Sequence, residues 1–211
     1  MSTSLKTLVT KLDDTCRAAA ERAAAITMAR GHHEVDIEHV LLALLEVADS
    51  DVGVLCRRFD VSVSGLTRDL ERELQGFKTG NTRTPVFSAR LPTLFEHAWL
   101  IASLDAHDAR IRSAHLLLAL LTEPGLAQIA YRTSALFARI DVDQLKHKLD
   151  EATRGSREAR QASASRGEGE TAEEQAAPAV DNRTPALDQF TTNLTQRARD
   201  GKIDPVIGRE A

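Results

Sequence analysis

Apolar residues recur at intervals of three and four from Leu5 onward, the spacing of one face of an α-helix. The first stripe is Leu5, Leu8, Val9, Leu12, Cys16, Ala19, Ala20, Ala23 and Ile26, and Gly31 ends it. Asp13-Asp14-Thr15 has the chemistry of a helix cap, so the stripe fits either one long helix or a short helix followed by a second. Ala18, Ala19, Ala20, Ala23, Ala24 and Ala25 leave little bulk there, so another helix, a core neighbour or a guest, can approach the backbone closely. Asp36 is the predicted N-cap of a Leu-rich helix running to about Val47. Ser50 starts a helix carrying Val52, Leu55, Cys56 and Phe59, and Ser62 or Ser64 starts another with Leu66, Leu70 and Leu74, stopped at Gly76. Residues 77–87 have turn chemistry and no helical period. Phe77 and Phe87 in that joint either plug back into the core or, for Phe87, border a groove.

After Ser88 the pattern begins again with Leu91, Leu94, Phe95, Ala98, Trp99 and Ala102, Pro92 lying near the start. Ser113-Ala114-His115-Leu116-Leu117-Leu118-Ala119-Leu120-Leu121 rewrites Ile37-Glu38-His39-Val40-Leu41-Leu42-Ala43-Leu44-Leu45, with the histidines 76 residues apart (115 − 39). Glu123-Pro124-Gly125 stops this helix, and Leu126, Ile129 and Ala130 continue into Leu136, Phe137 and Ile140. Asp141 or Asp143 caps a last helix with Leu145 and Leu149. The offset rises to 79 at Val63 against Val142 (142 − 63), which implies a small insertion in the second copy. A two-fold tandem repeat of this period fits a duplicated helical bundle, and each half alone is too small to bury its apolar face. The predicted fold is all-α: two four-helix units sharing one core, with an added N-terminal helix, over residues 1–154.

Residues 155–180 change character to Gly, Ser, Glu, Arg, Gln and Ala, and are predicted to be a flexible linker. Over 181–211 a helical period returns at Leu187, Phe190, Leu194 and Ala198 and then breaks off, as the truncated start of a further domain would.

Aromatics are 4% of the chain against 42% hydrophobic residues, so the core is aliphatic. Net charge is −4 with both signs interspersed, which argues against nucleic acid or an anionic membrane as partner. No apolar run reaches the length of a membrane span, and Cys16 and Cys56 fall on apolar faces as small buried hydrophobes of a reducing compartment, so a cytoplasmic protein is expected.

The chain lacks the phosphate-binding loop Gly-x-x-x-x-Gly-Lys-Ser/Thr; Gly201-Lys202 has neither the partner glycine nor the hydroxyl residue. His32, His33, Glu34, Asp36 and His39 crowd together, yet a loop and a buried helical turn give no converging zinc set, so no metal is expected. His39 and His115, repeated at matched sites, are expected to bond a ring nitrogen to a neighbouring backbone group. The charges of Arg68, Asp69, Glu71, Arg72 and Glu73 read as a solvated face. No nucleophile, base and orienter set is evident, so the expected activity is recognition. The Leu5, Leu8, Leu12 stripe precedes the repeat and, beside the Ala-rich helix, either walls an apolar groove for a partner helix or only covers the core edge.

The duplicated His-x-Leu-Leu-Ala-Leu-Leu helices resemble the two repeats of the N-terminal domain of Clp-type ring unfoldases, over roughly residues 12–153. Leu187, Phe190-Thr191, Leu194-Thr195, Ala198-Arg199 and Gly201 through Glu210 are similar to the entry of the first AAA+ ATPase module in that family. Phe77 through Pro85, Ala98 through Leu104 and Ile111 through Leu116 resemble the ClpV branch, the unfoldases of type VI secretion, more closely than the general disaggregases of the ClpB type. Glycine is usual in the family where Ala114 stands here. The resemblance implies a non-catalytic recognition domain that captures a helical N-terminal segment of the large sheath subunit after contraction. The parent would be a homohexamer using ATP and Mg, while the fragment alone would be a monomer with no cofactor. The implied groove comprises Leu5, Leu8, Leu12, Thr15, Cys16, Ala19, Ala20, Ala23 and Phe87. A ClpB-like domain that samples exposed apolar segments is the alternative.

Overall fold

The first apolar stripe is cut in two at Asp13, whose side chain accepts the Cys16 N–H at 2.7 Å and so starts a fresh helix. Helix α1 is Leu5–Lys11 and α2 is Asp14–Ala29. The computed structural model describes residues 5–164, and beyond α2 it contains β1 (Glu34–Val35), α3 (Ile37–Leu45), α4 (Asp51–Arg58), α5 (Val63–Leu74), β2 (Val86–Phe87), α6 (Arg90–Leu100), α7 (Ser113–Thr122), α8 (Pro124–Thr133), α9 (Val142–His147) and α10 (Leu149–Ala152). The fold is thus all-α in architecture, with both repeats feeding one apolar cluster.

The caps follow the sequence. Asp36, Ser50 and Ser62 accept the first free N–H groups of α3, α4 and α5. Glu123 ends α7 and, with Pro124 in the first position, opens α8; its carboxylate accepts the Leu126 N–H at 2.6 Å. The expected insertion is a 3₁₀ turn, Ala135–Arg139, between α8 and α9. Helix α6 runs on into one wide π turn, Ile101–Asp105.

α3 and α7, apolar on every side, are buried along their lengths. Two short parallel pairings then tie the copies together in a crossed fashion. β1, just before α3, pairs with β2, just before α6, in register Val35 with Phe87. Leu12, just before α2, bridges Ile111, just before α7. The stretch leading into the first helix of each unit therefore pairs with the stretch leading into the Leu-rich helix of the other. The joint at 77–87 accordingly ends in a strand where none was expected.

The domain boundary also differs from expectation. Residues 157–164 are helical, and Ser156 and Glu158 are buried, so the folded part does not end at 154. The remainder of the expected linker and all of 181–211 lie outside the described residues.

Candidate partner-binding surface and buried polar seam

The Ala-rich face of α2 meets a core neighbour, not an open furrow. Ala19, Ala20 and Ala23 are buried, and α2 packs most extensively on α3. Small side chains let the two backbones close together, so the surface that seemed suited to a guest is filled from within. Helix α1 lies against α6, placing Leu8 and Leu12 at 1% and 0% exposure. Thr15 and Cys16 are buried as well. Of the nine implied groove residues, Leu8, Leu12, Thr15, Cys16, Ala19, Ala20 and Ala23 are therefore packing residues; the Leu stripe covers the core edge. Leu5 is half-buried and Phe87 is 40% exposed.

What faces solvent is a different set. Val86 and Phe87 stand exposed on β2, one strand removed from β1, which itself packs on α2. Met28 is exposed at the end of α2, and Ala18, Ala25 and Ala29 are exposed along it. Phe77, by contrast, packs inward beside His32 and His39, with ring centroids 5.5 and 5.6 Å away. A cleft of about 400 Å³ runs between α2, α3 and α5, with Ile26, Leu42 and Leu45 in its lining and Arg22, Arg30, Glu46 and Glu71 among its polar groups.

The repeated histidines do the structural work expected of them. His39 Nδ1 accepts the Asp36 N–H at 3.1 Å, and His115 Nδ1 accepts the Arg112 N–H at 3.0 Å. With Nδ1 accepting, the neutral His39 ring carries its proton on Nε2, which donates to His32 Nδ1 at 2.9 Å. Burial, and then His32, hold His39 down to about 4, so the ring is neutral at pH 7. The histidine cluster is a chain of ring-to-ring and ring-to-backbone bonds.

The group that the sequence did not single out is Glu158. Its carboxylate sits where the N-termini of α4 and α7 converge, accepting the Asp51 N–H at 2.6 Å, the Ser113 N–H at 2.6 Å and the Ser113 hydroxyl at 2.5 Å. Two helix dipoles thus point their positive ends at one anion. Beside it Arg112 holds Asp51 with two bonds, at 2.9 and 3.2 Å, and reaches Asp108 at 3.3 Å and Thr153 at 2.8 Å. Asp51 also accepts the Ser156 hydroxyl. This polar seam joins loop, repeat units and C-terminal segment.

The described residues form a bundle of two crossed helical repeats with the apolar residues Val86 and Phe87 exposed on a strand edge. The model of the Clp repeat (R) N-terminal domain matches residues 11–132, and the chain belongs to that family. It is 35% identical over 99% of its length to the chaperone protein ClpB of Yersinia enterocolitica, and 30% identical over 95% to the AAA+ ATPase ClpV1 of Pseudomonas aeruginosa. The aligned region is 24% and 23% of those two proteins, so the chain spans about a quarter of their length. Among solved structures, a ClpV chain from work on the coevolution of the ATPase ClpV with the TssB–TssC sheath in type VI secretion superposes with a TM-score of 0.71, 28% identity, and coverage of 75% of this chain and 98% of that one. A ClpV N-domain in complex with a VipB peptide superposes with a TM-score of 0.66, 28% identity, and coverage of 74% and 96%. Among the described residues no helix is long and apolar enough to cross a membrane.

Proposed function

We propose that this chain is the partner-recognition domain of a ClpV-type unfoldase of type VI secretion, and that it takes a helical N-terminal peptide of the large sheath subunit. The observation that carries this reading is the match, covering 74% of this chain and 96% of that one, to a ClpV N-domain in complex with a peptide. The docking surface we assign is the exposed set Val86, Phe87, Met28 and the outer small residues of α2, with Leu5 at its margin; the buried leucines and alanines act as its backing. A bound helix would bury apolar area on Phe87 and Val86, and weak binding suits a handle that the motor must let go. In this reading the whole protein is a cytoplasmic hexameric ATPase using ATP and Mg, which pulls on what this domain catches.

The test is a fluorescence-polarisation titration of the chain with a labelled sheath N-terminal peptide and with a scrambled peptide of equal hydrophobicity. Selective binding is expected, and Phe87→Arg should loosen it at least tenfold, about 1.4 kcal/mol, by placing a charge in the apolar contact while leaving thermal stability unchanged. Unchanged affinity in that variant would remove Phe87 from the site. The 35% identity to ClpB supports a second reading, in which exposed apolar segments are sampled without selectivity. Equal affinity for the two peptides would favour it.

A further inference from the structure

The seam between the repeats holds more buried acid than buried base. Asp13, Asp51, Asp108 and Glu158 are all buried, while Arg112 is the one buried arginine or lysine among the described residues. Arg112 turns to Asp51 and Asp108. Asp13 and Glu158 face each other from opposite sides: Asp13 from the loop before α2, Glu158 from the segment that follows α10. A carboxylate oxygen of Asp13, the Cys16 sulfur and a carboxylate oxygen of Glu158 lie within 4.8 Å of one another. Asp13 Oδ1 accepts the Cys16 N–H, but its buried Oδ2 has no hydrogen-bond partner among protein donors. Two carboxylates placed this closely away from water do not both stay ionised, because each lacks a counterion and repels the other.

We infer that Asp13 and Glu158 form a proton-operated latch, in which one shared proton clamps the segment 155–164 onto the seam and loss of that proton to solvent releases it. Glu158 is the acceptor of the pair, since its oxygens already take the Asp51 and Ser113 N–H groups and the Ser113 hydroxyl. The proton therefore resides on Asp13 Oδ2, the atom without a donor. Burial, and then the charge of one carboxylate on the other, hold the proton of the Asp13–Glu158 pair up to about 7, which puts release near neutral pH. Arg112, the Cys16 thiol and Asp51 also face the pair. Arg112 stays charged on Asp51, and burial drives the Cys16 thiol well above its ordinary value, so it remains protonated. Asp51, pushed to about 6 by burial and then by Glu158, loses its own proton at the lower end of the same window and adds repulsion in the same direction. Asp14, His107, Asp108 and Arg110 line a cleft of about 400 Å³ beside the pair, which gives water a route to the departing proton.

Glu158 keeps its bonds to the Asp51 N–H and to Ser113 until the segment lifts, and the other contacts of the segment are few. The Arg157 N–H donates to the Asp49 carbonyl at 2.8 Å, the Ser156 hydroxyl binds Asp51, and Arg160 approaches Asp49 at 3.7 Å on the surface. Release would free about ten residues, each extending by at most roughly 3.3–3.6 Å, and so lengthen the reach of the recognition domain on whatever follows it by up to about 35 Å.

Hydrogen exchange of the full 211-residue chain, followed by mass spectrometry from pH 5 to 8 and corrected for intrinsic exchange rates, tests the latch. Protection of residues 157–164 should fall by up to about tenfold per pH unit between 5 and 7 and then level off, while α3 and α7 stay protected. Asp13→Asn keeps an acceptor for the Cys16 N–H and offers a permanent amide donor to Glu158, so its protection should be high and flat with pH. Glu158→Ala should expose Arg157 and Arg160 to trypsin at every pH. A wild-type profile that is flat, an Asp13→Asn profile that copies the wild type, or Glu158→Ala resisting trypsin as the wild type does would each overturn the inference. So would a profile that disappears with chelator or moves with added zinc, which would mean that Asp13, Cys16 and Glu158 hold a cation in place of the proton.

Discussion

Glu38 opens α3 as a buried acid, 1% exposed, and neither carboxylate oxygen has a hydrogen-bond partner among the described residues. Its nearest cation, Arg90, stands at 3.8 Å and is itself 39% exposed. A very small cavity lined by Glu38 and Thr133, whose hydroxyl likewise has no partner, leaves the carboxyl facing Leu41, Leu70, Leu120 and Phe137. Burial, and then Asp36, push it from the ordinary 4.5 to about 7. The folded state thus holds this proton more tightly than the unfolded chain does. Its contribution is fully present below 4.5, is lost as pH rises, and is gone above about 7. That displacement corresponds to about 3 kcal/mol. Glu38→Gln removes the titration while keeping the shape, at the cost of a half-exposed ion pair worth under about 1 kcal/mol. The variant should match the wild type near pH 4.5 and exceed it by about 2 kcal/mol at pH 8, which for a domain of this size is roughly 4–8 °C in Tm. Thermal unfolding followed by circular dichroism across this pH range measures the difference directly, and the titrations shared by both proteins cancel. A constant difference at all pH values, or a less stable variant at pH 8, would refute the reasoning.

Gly53 in α4 has no room for a side chain, since a Cβ would lie 2.5 Å from the Ala48 carbonyl oxygen; Gly53→Ala should cost about 1–3 kcal/mol, read as a lower urea midpoint with unchanged slope. His39, held down to about 4, stabilises fully above 6.5 and progressively less as pH falls to 4. His39→Asn retains an acceptor for the Asp36 N–H without titrating, so its urea midpoint should decline less steeply over that acid range, by up to about 3 kcal/mol in total. Ala20→Arg, at the close contact of α2 with α3, should lower stability by roughly 1–3 kcal/mol and reduce peptide binding only in proportion to unfolding. Separating the two readouts in one titration checks it.

Helix positions and caps were legible because they depend on neighbours a few residues apart. Asp36, Ser50 and Ser62 cap where their spacing to the next apolar run says they should, and the matched histidines bond backbone as their repetition implies. Which face of a helix is covered is a different matter. The Leu8 and Leu12 stripe has the same period whether it lines a groove or lies on α6, and periodicity carries no information about the occupant. The crossed pairing of β1 with β2 and of Leu12 with Ile111 was beyond reach for the opposite reason, since elements of one or two residues have no period to detect.

The folded segment past 154 follows from a break in the repeat itself. In the first copy Asp36 precedes the Leu-rich helix, and its Oδ1 accepts the Ile37 N–H at 2.9 Å. In the second copy Arg112 stands in that place, and a guanidinium has no lone pair to offer the Ser113 N–H. An orphaned donor buried at a helix start costs about 1–3 kcal/mol, so an acceptor from elsewhere is required. Arg112, itself buried, needs anions and takes Asp51 across the seam, and Glu158 supplies the oxygen that the cap position lacks. Composition marks residues 155–164 as too polar to fold, and by their own apolar content they are. They are held because Arg112 stands where the first copy has a capping acid, and the Ser113 N–H takes its acceptor from a carboxylate 45 residues downstream.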